Sequence, residues 1–331
     1  MKSNTKEEQP CDANAAASVV LFSDRWDVSI IIVNWNTRDM LRDCLASIYA
    51  QTQGVSFEVI VVDNASSDGS VAMLREEFPN VVLIENPDNR GFAAANNQAM
   101  AIARGRYVLL LNPDTLVRGD AIHKSVVFSD QDGSYAVIGI RNESQDGSLQ
   151  RNCFRFASVL NLSISALGFH EAFPGSRLWG RERLSWWDYR DTREVDCVAG
   201  CYMLVRRDAI HEVGVMDETY FMYGEEMDWC WRFHRHGWKV VYYPDATILH
   251  YGGAASSQNA AAMRVAQRQS LLRFIEKREG RLAGIAARGI LTGAGIVRLG
   301  YYLLRWMLGP GHARPRSRQK LRQAVTMAFG F

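Results

Sequence analysis

From Gly280 to Phe331 the chain has no aspartate or glutamate, yet nine basic side chains fall there: Arg281, Arg288, Arg298, Arg305, Arg314, Arg316, Arg318, Lys320 and Arg322. With nine of the 38 lysines and arginines in the tail, residues 1–279 keep 29 against all 36 acids, a net charge of −7. A mildly acidic body with an acid-free basic tail points the tail at an anionic partner. No CxxC occurs among the six cysteines (Cys11, Cys44, Cys153, Cys197, Cys201, Cys230), which leaves no structural-zinc pattern, and reduced thiols are expected. No apolar stretch follows the polar Met1–Gln9, so no secretory signal is expected, and residues 1–25 read as a disordered leader. No internal repeat is visible. Nor does a Gly-rich loop bearing Lys or Arg follow the first strand, where Asn34-Trp35-Asn36-Thr37 stands instead; this disfavours a nucleotidyltransferase.

What is present is a globular composition, 47% hydrophobic and 22% charged over 331 residues, with room for about two domains. From Val28 the pattern alternates between strand and helix. Strands are expected at Val28–Val33, Phe57–Val62, Val81–Ile84 and Tyr107–Leu111, and helices at Asp39–Gln51, Asp68–Glu77, Phe92–Arg104 and Asp120–Ser129. Apolar strands separated by helices of about a dozen residues predict βαβ units and a parallel sheet, hence an α/β fold. Gly139–Asp196 reads as irregular. A second block follows, with strand-like Val195–Val205, helical Glu225–His236, and strands at Trp238–Tyr243 and Ala246–His250.

The chemistry-bearing residues gather at strand ends, which in a parallel sheet line one crevice. Strand one ends in Asn34-Trp35-Asn36 and strand two in Asp63-Asn64; the third connection is Asn89-Arg90-Gly91-Phe92, and strand four runs into Asn112-Pro113-Asp114. Trp35 offers a π face and Asp63 an acceptor for the N3–H of a pyrimidine, while Ser67 and Asp68 read as helix caps. A carboxylate such as Asp114 after a buried strand can present a metal ion to a phosphate, although an acid after proline is also an ordinary turn former. Glu225, Glu226 and Asp228 crowd a helix start, where the macrodipole favours acids and where one of them could serve as a general base. His250, before Gly252-Gly253, could bind a metal or a diphosphate or be merely structural. The aromatics from Trp179 to Tyr189 suit either acceptor-sugar stacking or core packing.

Taken in order, the Asp63 string VVDNASSDGS, Asn89-Arg90-Gly91-Phe92, Asn112-Pro113-Asp114, the Glu225-Glu226-Met227-Asp228 helix and His250 resemble the inverting glycosyltransferases of family 2 over residues 27–258. Among these the likeness is greatest to bacterial rhamnosyltransferases of cell-surface polysaccharide synthesis. The resemblance implies a GT-A fold: a central mixed, mostly parallel sheet flanked by helices. Its two halves would be a nucleotide-sugar-binding half at 26–130 and an acceptor-binding, catalytic half at 131–258. It further implies Trp35, Asn36, Asp63, Gly91, Asn97 and Asn112 as nucleotide-sugar contacts, and Asp114 and His250 as ligands of Mg²⁺ or Mn²⁺. Glu226 would be the base, with Glu225 and Asp228 as alternatives. Gly200 matches a small-residue position in the acceptor half. Two departures stand out: Asn112 replaces the first acid of the family's DxD motif, and Glu226 replaces the usual aspartate. The QxxRW segment of processive synthases is absent, which implies transfer of one sugar. The implied reaction moves L-rhamnose from dTDP-L-rhamnose, with inversion, onto a glycan or polyprenyl-diphosphate-linked acceptor. The rivals are a UDP- or GDP-sugar donor and a catalytically dead sugar-binding homologue.

Residues 259–331 read as a basic amphipathic helical tail. In Leu282–Leu308, Arg281, Arg288, Arg298 and Arg305 fall within about 120° of the helical wheel. Such a helix suits an anionic membrane surface, engaged through residues 281–322, better than a span. The expected location is the cytoplasm, peripheral on the inner face of the plasma membrane, with no nucleic-acid partner.

Overall fold

A computed structural model describes residues 26–253 and 258–308. The expected leader and the Arg314–Arg322 cluster lie outside the described residues. The first half contains β1 (Trp26–Asn34), α1 (Arg38–Gln51), β2 (Phe57–Asn64), α2 (Ser70–Glu77), β3 (Val82–Asn86), α3 (Phe92–Met100), β4 (Gly105–Leu111), β5 (Thr115–Arg118) and α4 (Ala121–Ser129). The second half adds β6 (Tyr135–Glu143), β7 (Leu149–Gln150), β8 (Cys153–Phe154), α5 (Val159–Ala166), α6 (Phe169–Ala172), β9 (Arg193–Glu194), β10 (Cys197–Val198), β11 (Tyr202–Arg206), α7 (Arg207–Val213), α8 (Glu225–Arg235) and β12 (Lys239–His250). Two long helices follow, α9 (Ala260–Glu279) and α10 (Arg281–Leu308).

The main sheet runs β3-β2-β1-β4-β11-β6-β12-β5, with β11 and β5 opposed in direction to the rest, so it is mixed and mostly parallel as expected. Alternation along β1 sends Ile30 and Ile32 to the face covered by α1, α2 and α4, and Ile31 to the face covered by α3, α7 and α8. A smaller cluster, Leu162, Leu272, Phe274, Ile275 and Ala287, joins α5, α9 and α10.

Three expectations are corrected. Gly139–Asp196 is not wholly irregular: Gly139 lies in the middle of β6, where a Cβ would meet the Val198 side chain at 2.6 Å. The glycine that interrupts the apolar run in sequence is what lets β10 approach. Trp238–Tyr243 and Ala246–His250 form one strand, carried past Pro244 by a register shift between Tyr243 and Thr247. The helix expected from Asp68 begins at Ser70, because Gly69 takes the left-handed cap position at φ 87° while Asp68 accepts hydrogen bonds from Ser70 N and Oγ.

Candidate active site

Parallel register sets Asn34 beside Asp63. Asn34 Nδ2 donates to Asp63 Oδ2 at 2.7 Å, and the Thr37 hydroxyl fixes the amide's other end by donating to Asn34 Oδ1 at 2.6 Å. The second oxygen of Asp63 accepts the Ser66 amide at 2.8 Å. Asp63 therefore also closes a turn, where sequence reading looks for local side-chain bonding only as helix capping by Ser67 and Asp68. Asn36, left-handed at φ 52°, accepts from Ser67 N at 2.7 Å and so laces the β1 and β2 loops together, with half-buried Trp35 between Asn34 and Asn36. Next to them Asn64, Asn86 and Gln98 form an amide ladder, and Asn64 Nδ2 donates to Gly91 O at 3.2 Å. Sequence reading placed Asn34 and Asn86 at strand ends but gave them no role; the available signal was a buried amide closing an otherwise apolar strand.

Gly91 and Asn97 engage the loop that leads into α8. A Cβ on Gly91 would meet Phe221 O at 2.3 Å, and the next residue, Phe92, donates its amide to that oxygen at 2.8 Å. The Asn97 carboxamide donates to Met216 O and Glu218 Oε1, both at 2.9 Å, and accepts from Met216 N at 3.1 Å.

Antiparallel pairing of β5 with β12 places Thr115 opposite His250, which brings His250 to Asp114. His250 Nε2 stands 3.4 Å from Asp114 Oδ1, and both side chains are largely buried. Gln150 settles the imidazole tautomer. Its Nε2 donates to His250 O at 2.7 Å, so its Oε1, 2.9 Å from Nδ1, must accept a proton from that nitrogen. Nε2, buried and without a hydrogen-bond partner among the described residues, faces the Asp114 carboxylate, and in the neutral imidazole it carries the lone pair. An imidazole lone pair and a carboxylate oxygen aimed at each other fit a shared divalent cation. No group of three or more His, Cys, Asp or Glu side chains forms a cage among the described residues, so further ligands would come from a bound molecule. Asn112 holds the turn through its backbone, its N–H donating to Cys201 O at 3.1 Å and its carbonyl accepting from the Thr115 hydroxyl at 2.7 Å.

The three candidate bases at the start of α8 separate by environment. Asp228 is fully buried and paired, Oδ2 with Arg232 at 3.0 Å and Oδ1 with Lys277 at 2.7 Å. It is an anchor. Glu225 is buried, and its Oε2 has no hydrogen-bond partner among the described residues; burial and then the charge of Glu226 push its carboxyl well above the usual range. Glu226 is only partly exposed, accepts the Gly224 amide at 2.9 Å, and is also raised by desolvation. Glu226 is the only one of the three that is both partly exposed and free of an ion pair among the described residues.

The Cys197–Cys201 segment holds two buried thiols. A hydrogen bond with Cys230, then burial, raises that of Cys197, with a smaller contribution from the Glu226 charge; burial raises that of Cys201 to about 12, with a smaller contribution from the Asp114 charge. Gly200, inside that segment, packs on the Phe92 ring. The aromatic stretch is largely packing: Trp187 and Tyr189 are buried and stacked at 4.1 Å, and Arg177 and Arg193 flank Trp186. A separate cleft of about 680 Å³, lined by Asp217, Arg273, Lys277 and Arg288, lies between α9, α10 and the 217–219 loop and touches none of the strand ends.

Residues 29–214 match the family model described as glycosyl transferase family 2, which stops short of Glu226 and His250. An N-acetylglucosaminyl-diphospho-decaprenol L-rhamnosyltransferase of Mycobacterium tuberculosis is 28% identical over 262 residues, 75% of this chain and 84% of that protein. The low-salt glycan biosynthesis hexosyltransferase Agl10 of Haloferax volcanii is 26% identical over 63% of this chain and 62% of its own. Among solved structures, the mannosyltransferase PcManGT of Pyrobaculum calidifontis, in complex with GDP-Man and Mn²⁺, aligns over 92% of this chain and 87% of its own, with a TM-score of 0.52 and 18% identity. GalNAc-T7 with UDP, GalNAc and Mn²⁺ aligns over 76% of this chain and 48% of its own, with a TM-score of 0.53 and 15% identity. The fold is GT-A.

Proposed function

This chain belongs to glycosyl transferase family 2, and we propose that it transfers a single L-rhamnose from dTDP-L-rhamnose, with inversion, onto a lipid-linked or polysaccharide acceptor. The choice of sugar rests on the relative named as an L-rhamnosyltransferase acting on N-acetylglucosaminyl-diphospho-decaprenol, which aligns over three quarters of the chain. The choice of mechanism rests on one observation: of the three acids at the start of α8, Glu226 alone is partly exposed and outside an ion pair among the described residues.

An acceptor hydroxyl is a poor nucleophile until its proton is removed, and Glu226, partly exposed with an elevated proton affinity, is suited to take it. Asp63 accepts the base N3–H and Trp35 stacks on the base, with Asn36 and Asn112 lining the donor. Gly91 and Asn97 serve through the loop that carries Glu226. Asp114 and His250 Nε2 would hold Mg²⁺ or Mn²⁺, which when bound supplies positive charge against the leaving diphosphate. One base on the acceptor and a cation on the leaving group require no second nucleophilic carboxylate, so the displacement is direct and the anomeric configuration inverts.

α10 lies along the membrane plane on the cytoplasmic side. Its 24-residue apolar stretch, Arg281–Leu304, has mean hydropathy 1.4 and is long enough to span, yet a span would bury arginines at about 3 kcal/mol each. Its first half is also docked on α5 and α9 through Ala283, Ala287 and Leu291.

The test is a donor panel with the full chain, a diphospho-polyprenol carrying N-acetylglucosamine, and Mn²⁺. dTDP is expected to be released from dTDP-rhamnose. Release from UDP- or GDP-sugars alone would replace the donor, and neither binding nor turnover of any nucleotide sugar would leave the sugar-binding reading in its place.

A further inference from the structure

We infer that α5 and α6 form, with α10, one bilayer-docking platform, so that the acceptor half itself touches an anionic phospholipid surface. The inference rests on the in-plane reading of α10 and extends it to a segment that sequence reading left irregular.

On α10 the positions Leu282, Ile285, Gly289, Gly293, Ile296, Gly300, Leu303 and Met307 follow helical three- and four-residue spacing and form an acid-free apolar stripe. Most of its large members are exposed, Leu282 at 83% and Ile285 at 68%. The protein-facing side of the same helix is different: Gly284 and Ala287 are buried against α9 and α5. α5 packs on α10 through Val159 and Leu162, yet it presents Leu160 and Leu167, seven residues apart and therefore on one helical face, at 53% and 68% exposure. Just past α6, Phe173 and Leu178 are also about half exposed. Exposed apolar groups on two packed helices exceed the scattered singles ordinary on a surface.

Charge selects the occupant. Arg281, Arg288 and Arg298 lie off the α10 stripe, Arg177, Arg181 and Arg183 follow α6, and the chain carries no acid after Glu279. A basic rim around an apolar face matches anionic headgroups above acyl chains, whereas an interface between two copies would set that rim against itself. Docked this way, the α5–α6 corner meets the membrane beside the helix that leads from the active site.

Vesicle flotation tests this with phosphatidylcholine alone and phosphatidylcholine mixed with phosphatidylglycerol. The full chain is expected to float only with the mixed vesicles. Leu167→Glu with Phe173→Glu is expected to weaken partition about tenfold, Ile285→Glu with Ile296→Glu at least as much, and Val127→Glu, exposed on the opposite sheet face, not at all. Leu160→Gln, milder and equally exposed, is expected to weaken partition in the same direction, and a thermal melt of each variant confirms folding. Loss only in the α10 variant overturns the platform and keeps the α10 reading; loss in neither overturns both. A stable dimer broken by the α5–α6 variant, with vesicle binding intact, assigns the patch to a second copy and overturns the inference.

Discussion

His250 Nε2 and Asp114 Oδ1 stand 3.4 Å apart because antiparallel pairing sets Thr115 opposite His250. Neither residue is adjacent to the other in sequence, and Gln150 from a third strand aims the imidazole. Removing this aim without touching either ligand tests the arrangement. Gln150→Leu is expected to raise the Mn²⁺ concentration for half-maximal activity by about 10- to 100-fold, with activity recovered at saturating metal. His250→Ala is expected to lose more. A chelator is expected to silence the wild-type protein, and re-added Mn²⁺ to restore it.

Glu226 and Asp228, two residues apart, point to nearly opposite faces of α8 and predict different losses. Glu226→Gln is expected to lower kcat by about 10²- to 10⁴-fold while leaving nucleotide-sugar affinity unchanged in calorimetry. Asp228→Asn takes the carboxylate from Arg232 and leaves Lys277 paired with Asp217 alone, and is expected to cost about 2 kcal/mol of stability, Lys277 being partly solvated, measured as a lowered denaturation midpoint. Activity retained in Glu226→Gln would transfer the role to Glu225.

The pH profile follows from desolvation. Glu226 must be ionised to accept a proton, so activity rises with pH through its elevated pKa, and the acid limb lies above the ordinary glutamate value of 4.5. Stability has the opposite sign. The native state binds these protons more tightly than the unfolded chain, so the contribution of Glu225 and Glu226 is full below the unfolded value and is lost as pH rises through the folded one. Glu225→Gln is expected to flatten that decline in a pH series of denaturant melts.

Asn97 engages all three of its hydrogen-bond partners within the 216–218 loop. Asn97→Leu leaves the Met216 amide and carbonyl buried and unpaired, an expected loss of about 2 kcal/mol. Donor affinity is expected to stay near wild type; a large rise in donor Kd with an unchanged melting curve would return Asn97 to the donor pocket.

Much of this was legible in the sequence because parallel strands announce themselves as apolar runs and their carboxyl ends as polar punctuation. Asn34, Asp63, Asn112 and Asp114 could be placed together on that ground alone. Helical spacing sets Asp228 and Arg232 on one face and Glu226 on another, but the second partner of Asp228, Lys277, sits on α9 and no local spacing reports it. Gly139 hid a central strand: glycine reads as a breaker, and only the approach of Val198 shows why it is there. The packing of Trp187 on Tyr189 and Tyr242 was likewise invisible to spacing, since the three rings meet only through tertiary contact.

The central claim is direct transfer of one sugar with Glu226 as base, and the anomeric configuration of the product tests it most directly. Proton NMR of the glycan formed from dTDP-L-rhamnose is expected to show a single added residue with configuration opposite to the donor, and none from Glu226→Gln. A retained configuration, a polymeric product, or equal transfer by the variant would contradict the account.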